Sequence, residues 1–186
     1  YKVRDFGYTV YSLGQKADIY CQKDTTKIFT KNKKYFIKYF DLDTDYGIIK
    51  SMLKEQLPQE TEFGYGIHIL NQAPIETIIS FIISANNNIP RISKTIERVC
   101  ERFGDKCDDY YAFPTLQQLS KITTQDFVEM GCGYRAPYLV ETIAKLQTFD
   151  VDKLYDMPTP EARKELMSFK GIGRKVADCI LLFAYH

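Results

Sequence analysis

The sequence carries little net charge: 25 Lys and Arg against 24 Asp and Glu leave a formal +1 over 186 residues. A chain that coats nucleic acid along its whole surface needs a large positive excess. Any nucleic-acid surface here has to be local, with acidic residues placed elsewhere. Histidine is scarce, with two residues, and none of the five cysteines (Cys21, Cys100, Cys107, Cys132 and Cys179) stands in a CxxC pair. A zinc site or iron–sulfur cluster within this stretch is therefore not expected, and an odd, scattered set of cysteines suits free thiols in a reducing compartment. No apolar run reaches membrane-spanning length and no signal peptide is visible, so an intracellular chain without a membrane partner is expected. The chain opens on Tyr1 rather than Met and closes on His186 inside an apolar helical pattern; both ends read as cut, and the chain is expected to be a fragment. What is present, 45% hydrophobic residues, suffices for a core.

Residues 1–40 differ from the rest. Tyr8–Leu13 and Ala17–Cys21 are short β-prone runs around Gly14-Gln15-Lys16, which reads as a strand pair joined by a turn. Such a hairpin is marginal alone, so it is expected to belong to a sheet whose other strands precede Tyr1. The basic, aromatic stretch Lys31–Lys38 reads as a solvated helix face or strand edge. From about Asp43 the patterns become helical. Ile75, Ile78, Ile79, Ile82 and Ile83 form a core-facing stripe in a helix from Pro74 to Ala85. Ile92, Ile96, Val99 and Phe103 mark a second helix ending at Gly104. Further helices are expected after Phe113-Pro114-Thr115, from Thr123 or Thr124 to Met130, and over Arg135–Leu146, Thr159–Ser168 and Arg174–His186. The fold class is thus mainly α with a small N-terminal β portion: a remnant of a sheet domain over 1–40 and a helical domain over 41–186.

Three segments carry chemistry. In Leu166-Met167-Ser168-Phe169-Lys170-Gly171-Ile172-Gly173-Arg174-Lys175, one helix ends in a tight turn and another starts at once. The glycines permit unusual backbone angles and close approach of a partner, and the free N–H groups of the new helix favour an anion. That is the logic of a helix-hairpin-helix over about residues 161–186, which grips a DNA phosphate without reading sequence. From Gly-x-Gly alone an ordinary αα-turn fits as well. Lys175 lies in the first turn of the second helix, with Cys179 four residues on and facing the same way. The positive end of the helix dipole, and partial burial, would disfavour its charged form, as a Schiff-base nucleophile needs. A plain phosphate or solvent contact is the alternative. The second segment, Asn86-Asn87-Asn88 with Arg91, places amide groups between two helices, where one Asn can cap a helix and others could read base edges. The third, Gly131-Cys132-Gly133-Tyr134-Arg135, presents an aromatic beside a guanidinium: a wedge for a base stack, or a helix end with Tyr134 folded onto the core.

Taken together, Gln72–Glu76, Ser80–Ile82, Asn86–Ile89, Arg91-Ile92, Phe113–Leu116, Gly131–Ala136 and Gly171–Ile180 resemble the 8-oxoguanine DNA glycosylase branch of the helix-hairpin-helix glycosylases. The resemblance is clear from about Lys34 to the end and weak before it. It implies a helix-hairpin-helix glycosylase core, truncated at both ends, and residue roles. Lys175 would be the nucleophile on the anomeric carbon and Cys179 would line the flipped-base pocket. Asn86 would fill the gap left by the base, Arg91 and Arg135 would contact the orphaned cytosine, and Tyr134 would wedge beside it. Lys170, Gly171, Gly173 and Arg174 would meet a phosphate. The carbonyls of Met167, Phe169 and Ile172 would hold a structural monovalent or divalent cation; catalysis itself would need no cofactor. The family has Pro more often where Lys170 stands. Its catalytic aspartate would lie beyond His186 and its lesion-sensing glycine before Tyr1, so the fragment by itself is expected to be inactive. The implied partner is double-stranded DNA with 8-oxoguanine opposite cytosine, bound by a monomer. The rival readings are a non-catalytic helix-hairpin-helix module and a glycosylase for another lesion.

Overall fold

The computed structural model describes residues 1–186 apart from Phe6, Asp24 and Tyr65. An antiparallel sheet of four strands comes first, in chain order: β1 (Lys2–Arg4), β2 (Gly7–Ser12), β3 (Gln15–Cys21) and β4 (Thr26–Thr30). The expected strand pair is β2–β3. Its turn residues Leu13 and Gly14 have φ of +46° and +67°, the signs a two-residue type I′ turn requires. The sheet does not wait for strands before Tyr1, as the sequence reading expected: β1 and β4 supply partners from within the chain. β4 escaped notice because Thr26-Lys27-Ile28-Phe29-Thr30 is short and half polar. Helix α1 (Lys33–Tyr39) follows, capped by Asn32, whose side chain accepts from Tyr35 N–H at 3.1 Å. Phe36 and Tyr39 pack against Val10 and Ala17 of the sheet, and the lysines of the basic stretch form the solvent side of this helix. Helical structure therefore starts at Lys33, before the expected Asp43, because two aromatics three residues apart give a short helix an apolar face.

The rest is helical: α2 (Tyr46–Lys54), α3 (Pro58–Phe63), α4 (Pro74–Ser84), α5 (Ile89–Phe103), α6 (Leu116–Leu119), α7 (Thr124–Glu129), α8 (Ala136–Leu146), α9 (Thr159–Met167) and α10 (Arg174–Ala184). A two-stranded hairpin, β5 (Lys106–Cys107) and β6 (Tyr110–Tyr111), interrupts them unforeseen, and 3₁₀ turns precede α8 and α9. Ile78, Ile79, Ile82 and Ile83 are buried as the stripe predicts, while Ile75 is at the edge of the core. Thr123 is the cap of α7. Helix α4 is central: it packs on α5, α8 and α10. Gln72 N–H, just before α4, donates to Phe183 O at 2.7 Å, so the start of α4 meets the end of α10. The rings of Phe81 on α4 and Phe183 on α10 stack at 6.0 Å. Among the described residues, no helix is long and apolar enough to cross a membrane, and all five cysteines are free.

Glu76 ties the sheet to this helical core. Its carboxylate accepts from Leu13 N–H at 2.8 Å and from Ser12 Oγ at 3.1 Å. Burial pushes the group above its ordinary value of 4.5, against the pull of those hydrogen bonds. The folded state therefore holds the proton more tightly than the unfolded chain. The stabilisation this gives is complete below about pH 4.5 and is lost as pH rises through the raised folded value. Glu76→Gln keeps an acceptor for Leu13 N–H without the charge. Its Tm relative to wild type is expected to rise as the buffer goes from about pH 4 to about pH 8. A difference that stays constant over that range would remove Glu76 as its source.

Candidate functional site

Helix α9 is capped at its end by Ser168, and the chain turns through Phe169–Gly173 into α10. Phe169 and Ile172 are buried, and Ile172 N–H donates to Phe169 O at 3.2 Å, so Ile172 plugs the turn between the two helices. The two glycines do different things. Gly171 has φ of +81°, and a Cβ on it would lie 3.0 Å from the Tyr138 ring. Gly173 has ordinary angles and open space where its Cβ would be. It is also the cap residue of α10, and no side chain there satisfies the first-turn N–H groups. The positive end of α10 is thus left open to an anion, flanked by exposed Lys170 and Arg174. Gly171→Ala should cost about 1–2 kcal/mol through the left-handed backbone alone, read as a lower Tm. Gly173→Ala should leave Tm in place and weaken duplex binding, because the methyl group stands where a phosphate would approach. Equal Tm losses at the two positions would contradict this division.

Lys175 stands on the first turn of α10 and Cys179 one turn on, half-buried. Partial burial of Lys175 would add to the effect of the helix N-terminus on its charge. It is exposed, on the uncapped first turn of α10. Between the two, Asp178 accepts from Arg163 Nε of α9 and lies 4.0 Å from Arg174 Nε. This brace across the hairpin was missed in the sequence, where Asp178 reads only as a polar residue next to Cys179.

The three asparagines have three separate jobs. Asn88 caps α5, its side chain accepting from Arg91 N–H at 3.1 Å, and Asn87 donates to Ile83 O at 3.2 Å, closing α4. Asn86 is exposed with φ of +48°, a conformation asparagine tolerates better than most residues. Arg91 is exposed too, on the first turn of α5. Arg135 is not: it is 5% exposed, and its guanidinium donates to Ala85 O (2.6 Å), Asn86 O (2.8 Å) and Cys132 O (3.2 Å). Expected beside Arg91 at an orphaned base, it is here committed to the backbone and holds the strained Asn86 corner. Tyr134 is 55% exposed, its ring 4.5 Å from the Arg135 guanidinium and edge-on to Tyr138; it is not folded into the core. Tyr138 in turn lies against Gly171. A continuous path thus runs from the hairpin through Tyr138, Tyr134 and Arg135 to Asn86. Tyr138 was not singled out from sequence, since one tyrosine in an amphipathic helix carries no signal.

The hairpin borders an open hollow of about 590 Å³ lined by Glu141, Lys145 and residues 167–173. The carbonyls of Met167, Phe169 and Ile172 are an all-oxygen donor set that fits a hard monovalent or divalent cation. Phe169 O keeps a second lone pair after accepting from Ile172.

Residues 79–177 match the model of the HhH-GPD superfamily of base excision DNA repair proteins, and residues 6–78 that of the 8-oxoguanine DNA glycosylase N-terminal domain. The likeness therefore reaches well before Lys34, where the sequence reading found it weak. An N-glycosylase/DNA lyase of Saccharomyces cerevisiae is 37% identical over 177 residues, 83% of this chain and 46% of that protein. The apo-form of Clostridium acetobutylicum 8-oxoguanine glycosylase/lyase superposes with a TM-score of 0.93 at 36% identity, covering 99% of this chain and 69% of that one. Its complex with double-stranded DNA containing cytosine opposite 8-oxoG superposes equally well, with a TM-score of 0.93 at 36% identity over 99% of this chain and 68% of that one. The chain spans between 35% and 55% of the length of the curated relatives it matches. With both family models matched end to end along the sheet and the helices, the chain belongs to the HhH-GPD superfamily of base excision DNA repair proteins, in its 8-oxoguanine DNA glycosylase branch.

Proposed function

We propose that this chain is most of the catalytic core of a DNA glycosylase/lyase that excises 8-oxoguanine opposite cytosine. The observation that carries the reading is an exposed lysine, Lys175, on the uncapped first turn of the helix that leaves a Gly-Ile-Gly hairpin. The target nucleotide is flipped out of the duplex. The hairpin N–H groups, with Lys170 and Arg174, hold a backbone phosphate, which fixes position without reading sequence. Asn86 and Tyr134 stand in for the extruded base, and Arg91 presents its guanidinium to the orphaned cytosine. The Lys175 amine attacks the anomeric carbon, the base leaves, and the resulting imine allows β-elimination that nicks the strand. Met167, Phe169 and Ile172 would hold a hairpin cation, which supplies positive charge toward the bound phosphate. The names and DNA complex of the relatives support the lesion and its opposite base. The same reading places the protein with DNA inside the cell, as a monomer. Borohydride trapping of the complete protein on an 8-oxoguanine:cytosine duplex tests it: a covalent adduct is expected. Tight duplex binding with no adduct would instead leave a non-catalytic helix-hairpin-helix module.

A further inference from the structure

Positive charge is concentrated away from the hairpin. Lys23, Lys27, Lys31, Lys33, Lys34 and Lys38 fall in one short stretch with a single acidic residue, Asp24, while the whole chain carries a formal +1. The rest of the chain is therefore net acidic. All six lysines are exposed, and their ammonium groups take no hydrogen bond or ion pair among the described residues. The carboxylates nearby are engaged elsewhere. Asp18, which pairs with Phe29 across the sheet, accepts from Thr9 Oγ1 at 2.7 Å and lies 3.5 Å from Lys16 Nζ. Asp41, just past α1, accepts from Thr44 Oγ1 and from the Tyr46 hydroxyl, each at 2.7 Å. The lysine cluster is left without a counter-charge.

The fold gains nothing from it. Lys33 and Lys34 occupy the first turn of α1, which has no acidic residue, and the positive end of a helix disfavours cations there. On β4, the edge strand, Ile28 turns to the small core beneath the sheet. Lys27 and Phe29 therefore share the outer face, with Lys31 two residues on. Phe29 is 57% exposed between these lysines. A merely solvated charge run has no use for a bare aromatic ring, whereas a DNA backbone offers deoxyribose between its phosphates. The end of α1 meets the end of α10: Asn71 N–H donates to Tyr39 O at 2.8 Å, Gln72 N–H to Phe183 O, and His186 Nε2 lies 3.7 Å from Asp41 Oδ2. The hairpin is at the other end of α10, about 16 Å away along the helix.

We propose that the lysines of β4 and α1 form a second, sequence-independent contact for duplex DNA, engaging backbone phosphates outside the stretch held by the hairpin. The proposal rests on the reading of this chain as a DNA-binding repair enzyme and adds a surface that reading does not use. The cluster touches no reacting atom; it adds affinity for the flank of a long duplex.

The test uses the complete protein and a variant combining Lys27→Gln, Lys31→Gln, Lys33→Gln and Lys34→Gln. Kd is measured across a salt series for 8-oxoguanine:cytosine duplexes of about one and about four helical turns. The variant should bind the long duplex about tenfold more weakly than wild type and the short one within about twofold, with its salt slope on the long duplex about two to three units shallower. Its Tm should be at or slightly above wild type, and single-turnover base release at saturating duplex should be unchanged. Lys27→Arg, Lys31→Arg, Lys33→Arg and Lys34→Arg combined should behave as wild type. Equal affinity of variant and wild type for both lengths would reduce the cluster to a solvated face and overturn the proposal. Equal weakening on both lengths would overturn it too, by making these lysines part of the lesion grip. Wild type alone gives an independent check, which stands even if the glutamine variant fails to fold: its salt slope should be steeper on the long duplex, and identical slopes contradict a flank contact. A wild type that binds neither duplex would sink the DNA-binding reading itself, a separate failure.

Discussion

Lys175→Gln in the complete protein is expected to abolish both base release and borohydride trapping while leaving affinity for lesion-containing duplex within about tenfold, or about 1.4 kcal/mol. The asymmetry follows from the structure. Chemistry is assigned to one amine on the first turn of α10. Binding is spread over the hairpin N–H groups, Lys170, Arg174, Arg91 and the Asn86–Tyr134 corner, all on the exposed surface. Glutamine keeps the length and a polar end, and Lys175 makes no hydrogen bond or ion pair among the described residues, so the fold has nothing to lose at this position. Tm should therefore match wild type. Single-turnover base release and trapping separate the outcomes. A variant that still releases base at the normal rate would leave the nucleophile unassigned, and one that loses binding a hundredfold would make Lys175 a phosphate contact.

Much of this site was legible in the sequence because it depends on local backbone. Gly171-Ile172-Gly173 sets a turn, and a turn sets where the next helix begins, so the places of Lys175 and Cys179 follow from spacing alone. Asn88 as a helix cap and Thr123 as another are equally local. What was hidden depends on residues brought together from far apart. Arg135 and Asn86 are remote in sequence, and nothing in Gly-Tyr-Arg says that the guanidinium turns inward to carbonyls of the α4–α5 corner. Lys145 and Ser168, or Arg163 and Asp178, meet only because α8, α9 and α10 share one core through Leu139, Ile143, Leu166 and Ile180. The exposure of Lys175 is not legible in the sequence either, because the walls that would cover a side chain are tertiary. Strands β1 and β4 were missed because three and five residues of mixed polarity give no usable period.

The two arginines at this corner should part company when each is replaced by methionine. Arg91 is exposed and its side chain makes no hydrogen bond or ion pair among the described residues, so Arg91→Met should leave Tm unchanged. It should relax the preference for cytosine opposite the lesion, because a good guanidinium contact to a base is worth about 1–3 kcal/mol of discrimination. Arg135 is buried and donates to three carbonyls of the loops it joins. Removing it leaves these part-buried acceptors without their donor, at about 1–3 kcal/mol for each group left unsatisfied, and takes away the guanidinium that holds the left-handed Asn86 corner. Arg135→Met should therefore lower Tm and reduce base release against all four opposite bases by a similar factor, since a displaced gap-filler harms every duplex alike. Single-turnover rates on the four duplexes, with Tm for each variant, decide the matter. A uniform drop for Arg91→Met with its cytosine preference intact would reduce Arg91 to a backbone contact, which carries no sequence information. An Arg135→Met protein with wild-type Tm and lost cytosine preference would mean that the guanidinium leaves these carbonyls when DNA binds, and that its resting place in the corner contributes little.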